Sequence, residues 1–166
     1  MALKFGEFIF SNLRSNTTEC LEEVKGLFGV PDYLVVEKNL ESISCIISFE
    51  LKLKDWRKGL RQAFKYKSFS NLTILVLDHT NIELALNNLE QFIHFNIGLA
   101  SFDTWNHLRI HYFPTISEPF SPYLIRKVND QIFTDDLSPT DSISEICIEK
   151  SWERSILNQK ISTYSV

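Results

Sequence analysis

The chain has 166 residues, of which 44% are hydrophobic and 23% charged, the make-up of one soluble domain large enough to bury its own core; no apolar run reaches the roughly 20 residues of a membrane helix. Its three cysteines (Cys20, Cys45, Cys147) are far apart, odd in number and without a C-x-x-C pair, which argues against a disulfide framework or a zinc site and predicts a reducing, cytoplasmic setting. The net charge of −4 points away from nucleic acid as a whole-molecule partner, yet residues 52–67 hold seven basic side chains against one acid, Asp55, a local stripe of the kind that phosphate contacts need.

Residues 1–16 form an N-terminal segment in which 7–10 fit either a strand or a helical turn. Glu7 and the lack of a long apolar stretch there argue against a secretory signal. Thr17 or Thr18 can cap a helix to about residue 28, with Leu21, Val24, Leu27 and Phe28 at helical spacing; Gly29 and Pro31 end it. Residues 33–37 read as a strand. Residues 43–53 read as a second, with Ile43, Cys45, Ile47, Phe49, Leu51 and Leu53 on one face and Ser44, Ile46, Ser48, Glu50, Lys52 and Lys54 on the other. The short link between them predicts an antiparallel pair.

Asp55 caps a helix predicted to about residue 69, with Trp56, Leu60, Ala63 and Phe64 inward. Residues 73–77 are a continuous apolar run, hence a strand covered on both faces and parallel to the one before. Residues 82–95 read as one amphipathic helix with Ile82, Ala85, Leu86, Leu89 and Ile93 inward. Residues 97–102 and 108–113 read as a hairpin. Pro114, Pro119 and Pro122 then change the texture, and a boundary is placed at 114. Beyond it the chain has five basic and eight acidic residues, with a helix predicted over 123–133, a strand or helix over 143–148 and a helix over 151–160. The expected class is α/β: a mixed sheet with helices on both faces.

One constellation carries chemistry. Glu50 and Lys52 are two residues apart on one strand, so they share a face, and Asp32 enters from the paired strand. Two carboxylates and an ammonium are costly to bury without a purpose. Such a pair suits a hard cation such as Mg²⁺, and a neighbouring lysine can orient or deprotonate water. Without a ligand, the same residues could form a surface ion-pair cluster.

Val30-Pro31-Asp32, a short hairpin, then Phe49-Glu50-Leu51-Lys52 resemble the PD-(D/E)XK nuclease superfamily. The following helix, with Gln62-x-x-x-Tyr66, is similar to the Q-x-x-x-Y pattern of RecB-like exonucleases. The resemblance spans residues 17–113 as a nuclease-like core, with 114–166 a short acidic extension. It implies a three-layer α/β/α restriction-endonuclease-like fold and hydrolysis of DNA leaving a 5′ phosphate, in restriction, repair or mobile-element processing. It also implies Mg²⁺ (or Mn²⁺) held by Asp32, Glu50 and the carbonyl of Leu51, with Lys52 activating water and Gln62 supporting the site. An additional first-helix glutamate would be Glu19, Glu22 or Glu23, with Glu23 favoured.

Lys54, Arg57, Lys58, Arg61 and Lys65, with Tyr66, are the expected nucleic-acid contacts; a solvated helix face is the plain alternative. His107, Arg109 and His111 read as hairpin surface, and 78–81 as a turn. The rival functions are a catalytically inactive nuclease-fold module within a larger nucleic-acid-processing complex and an RNA-directed nuclease. A homodimer or a protein partner is compatible with each, and a membrane is not expected.

Overall fold

The computed structural model describes residues 1–13, 15–25, 27–38 and 42–132. The readings over 143–148 and 151–160 therefore lie outside the described residues. The described elements are α1 (Ala2–Leu13), β1 (Thr18–Glu22), β2 (Tyr33–Lys38), β3 (Ile43–Lys52), α2 (Trp56–Tyr66), β4 (Leu72–Asp78), a 3-10 turn (His79–Asn81), α3 (Glu83–Leu86), α4 (Leu89–Phe95), β5 (Gly98–Phe102), β6 (Leu108–Tyr112) and α5 (Pro122–Ile132). The six strands lie in the order β1-β2-β3-β4-β5-β6. The β3–β4 and β4–β5 pairs are parallel, and the other three are antiparallel. The α/β class and the mixed sheet with helices on both faces follow.

The alternation in β3 divides the core. Cys45, Ile47, Phe49 and Leu51 join Val35, Ile74, Val76 and Phe102 beneath α1, which contributes Phe5 and Ile9. On the other face Leu75, Leu77 and Leu99 pack with Trp56, Leu60 and Ala63 of α2 and Phe92 of α4. Leu34, Val36 and Ile46 extend that face under Tyr66, Phe69 and Val128. Asp55 caps α2 through the backbone N–H of Lys58 at 2.9 Å, as the sequence predicts.

Five readings need correction. Residues 1–16, placed outside the core, hold α1, whose Phe5 and Ile9 join the core. The helix expected over 17–28 is the edge strand β1, paired residue for residue with β2; Phe28 is 57% exposed instead of inward. The helix expected over 82–95 is two short helices broken at Asn87 and Asn88, so that Phe92 takes the buried position and Ile93 is exposed. Phe64, expected inward on α2, is 45% exposed. The segment after 114 also continues the body as far as 132. Ser117 and Ser121 donate backbone N–H groups to the carbonyls of Asn71 and Ser68, and Val128 is fully buried.

Candidate functional site

The site lies where β2 begins and β3 ends. Tyr33 pairs with Phe49, so Asp32, one residue outside β2, stands beside Glu50. Its carboxylate Oδ2 accepts the backbone N–H of Leu51 at 2.6 Å, a contact that a neighbouring strand would otherwise make. The backbone N–H of Asp32 donates to the carbonyl of Phe49 at 3.1 Å. The other carboxylate oxygen of Asp32 has no hydrogen-bond partner among the described residues.

Glu50 is 2% exposed, and both its oxygens are engaged. Oε1 accepts from the Lys52 ammonium, and Oε2 accepts from the Tyr66 hydroxyl at 2.5 Å. Burial pushes the Glu50 carboxyl up. The hydrogen bonds from Lys52 and Tyr66 pull against that rise, and the nearby charge of Asp32 adds to it. The Lys52 ammonium also donates to the carbonyl of Leu51 at 3.1 Å.

Two glycines permit this closeness. A Cβ on Gly59 of α2 would stand 2.5 Å from Leu75 Cδ1 and 3.0 Å from Lys52 Cγ, so only glycine lets the helix lie this near β3 and β4. Gly29 has φ +104, and a Cβ there would stand 2.7 Å from Tyr66 Cε1.

Asp32, Glu50, Leu51 and Lys52 thus come together. Gln62 is on the same flank of α2 as Gly59 and Tyr66, and its side-chain Oε1 is buried with no partner among the described residues. Glu23 is not on a helix. It follows β1 with φ 44 and donates its backbone N–H to the carbonyl of Asp32 at 3.1 Å. Glu19 is paired with Lys38 at 2.6 Å. Tyr66, expected at the nucleic acid, is 1% exposed, and its hydroxyl stands 2.5 Å from Glu50 and 2.9 Å from the carbonyl of Val30. It positions Glu50 instead. Lys54, Arg57, Lys58, Arg61 and Lys65 are all exposed.

Sequence reasoning missed a second polar group on the same sheet face. Lys52 is in register with Leu77, and Leu77 with Ser101. Ser101, 1% exposed, hydrogen-bonds His111 Nε2 at 2.9 Å and stands 3.4 Å from His79 Nδ1. The available signal was a lone serine within an apolar strand.

The oxygen set fits a hard divalent cation. The Lys52 ammonium already sits between a Glu50 oxygen and the Leu51 carbonyl, so these oxygens converge on one positively charged point, and Asp32 holds the Leu51 N–H next to it. Among the described residues no three His, Cys, Asp or Glu side chains form a metal-binding group; the set described here has two carboxylates and a carbonyl.

A scan against protein-family models and a search of curated proteins each found no match. Among solved structures, the chain is similar to the SPO1766 protein of unknown function from Silicibacter pomeroyi. The two share 16% sequence identity with a TM-score of 0.54, over 80% of this chain and 83% of that one. This likeness shows the fold alone.

Proposed function

We propose that the protein is a Mg²⁺-dependent nuclease of the PD-(D/E)XK superfamily that hydrolyses DNA phosphodiester bonds. The observation that carries this reading is the Lys52 ammonium bridging Glu50 and the Leu51 carbonyl beside Asp32. Asp32, Glu50 and the Leu51 carbonyl would hold Mg²⁺, or Mn²⁺ in its place; when bound, the ion stabilises charge on a phosphate and acidifies water. Lys52 neutralises negative charge at the reacting phosphate and orients the attacking water. In the reaction a water oxygen bonds to phosphorus, the bond to the 3′ oxygen breaks, and that oxygen takes a proton, leaving a 5′ phosphate. Gln62, on the same flank of α2 as Gly59 and Tyr66, supports the site. Tyr66 holds Glu50 in place. The exposed cations of α2 supply phosphate contacts.

The test is incubation with supercoiled, linear and branched DNA, with Mg²⁺ or with chelator. Cleavage that requires Mg²⁺ and is lost in Lys52→Ala is the expected result. No cleavage of any substrate by the parent, or equal cleavage by Lys52→Ala, would overturn it.

A further inference from the structure

A groove of about 430 Å³ runs between α2 and α4. It is separate from the carboxylate site. Gly59 and Tyr66 turn one flank of α2 towards Lys52 and Glu50. At 100° per residue, Leu60 and Phe64 fall about 100–160° round the helix from that flank. The floor is apolar and aromatic: Trp56, Leu60, Phe64 and Phe95. Phe64 and Phe95 meet edge to face at 5.5 Å and remain 45% and 38% exposed. The rim is cationic. Arg57, Arg61 and Lys65 line it, and no acidic side chain does. The Arg57 guanidinium lies 4.5 Å from the Trp56 ring centre, which holds its charge at the mouth.

Exposed rings at the bottom of a groove are costly in water. Three cations without an acid select an anion. A ligand that satisfies both is planar, apolar on its faces and attached to phosphates. We infer that this groove holds an unpaired nucleobase of a DNA strand, with Arg57, Arg61 and Lys65 on the flanking phosphates. A base within a duplex is stacked on both sides and cannot enter, whereas an unpaired base offers its π-face to Phe64 and Phe95. The inference rests on the nuclease reading for the identity of the strand, and adds to it a preference for single-stranded or frayed DNA.

The experiment uses the full chain in chelator at low salt. Fluorescence anisotropy compares a labelled oligothymidine, an abasic strand of the same length and a duplex. The abasic strand keeps the phosphates and lacks the bases, so it isolates the contribution of the bases. Oligothymidine is expected to bind about ten-fold more tightly than the abasic strand, the scale of one stacked base. Phe64→Ala with Phe95→Ala should remove that margin and leave duplex binding unchanged; Phe64→Tyr should keep it. Equal binding of the abasic strand, or an equal loss on strand and duplex, would overturn the inference, as would an acidic peptide that displaces the strand only from the parent. Mg²⁺-dependent cleavage is read in parallel. Cleavage without base discrimination sinks the groove alone, and base discrimination without cleavage sinks the nuclease reading alone.

Discussion

The hydroxyl of Tyr66 and the carboxylate of Glu50 meet at 2.5 Å with both residues at most 2% exposed. The hydroxyl has one proton and two acceptors in reach, and the carboxylate is the stronger of the two. Burial first, then the bond to Glu50, holds the Tyr66 proton far above the ordinary tyrosine range. Tyr66→Phe removes the donor and leaves a buried carboxylate oxygen unpaired. The expected loss is about 1–3 kcal/mol, read by urea unfolding without metal. An unchanged midpoint would mean that the hydroxyl contributes nothing to holding Glu50.

Divalent cations should stabilise the parent, by about 2.7 kcal/mol at a hundred times Kd. Asp32→Asn and Glu50→Gln should each abolish that gain. Without metal, Glu50→Gln should melt at or above the parent, because burial disfavours the Glu50 charge and the amide keeps an acceptor for Tyr66. A large loss of melting temperature in metal-free Glu50→Gln would mark the cluster as an ion pair that holds the fold.

Gly29→Ala tests the backbone behind the site. With φ +104 and a Cβ 2.7 Å from the Tyr66 ring, alanine is strained and must push the ring away. A cost of about 1–3 kcal/mol is expected, with weaker Mg²⁺ binding, read by thermal melting across a metal titration.

His111 gives a pH dependence. Burial, then the charges of His79 and Arg109, lower its pKa below the ordinary 6.5. Above that value both folded and unfolded chains carry it neutral. As the pH falls through 6.5, the unfolded chain takes up a proton that the folded chain resists, so the contribution of His111 to stability is lost. The difference in melting temperature between parent and His111→Gln should therefore shift against the parent below pH 6.5 and stay constant above it. A constant difference throughout would exclude the effect.

The exposed stripe of Arg57, Lys58, Arg61 and Lys65 predicts a slope of about −3 for log K against log salt on duplex DNA, from three or four phosphate contacts. Arg57→Gln with Arg61→Gln should flatten it by about two units, whatever the DNA sequence. A slope unchanged by that pair would return the stripe to a solvated helix face.

How much could be read from residues alone depended on whether local and long-range demands agreed. β3 was legible because strict alternation and burial on both faces select the same residues. That one strand places Glu50 and Lys52 together. α2 was legible from the Asp55 cap and its apolar stripe. Over 17–28 the demands conflict. Leu21, Val24, Leu27 and Phe28 have helical spacing, but pairing with β2 from Thr18 to Glu22 prevails, because strand formation depends on the neighbour more than on intrinsic preference. Glu23 accordingly reaches the Asp32 backbone from a strand end. The Tyr66 contact with Glu50 was hidden because helical spacing shows only which flank a residue occupies, and a tyrosine on a basic helix reads as surface.

Strand order in space repeats strand order along the chain, and this bears on how the protein folds. Each strand pairs with the next one in the chain. The parallel partners Ile47 and Leu72 are only 25 residues apart, a short closure for a parallel pair. Contacts this close in sequence favour rapid closure when the domain folds. Asp32, Glu50, Lys52 and Tyr66 all lie before β4, which pairs with β3 as far as Leu77. The packing around Tyr66 includes Val128 of α5, so the setting of Glu50 draws on the last described helix as well as on β2, β3 and α2.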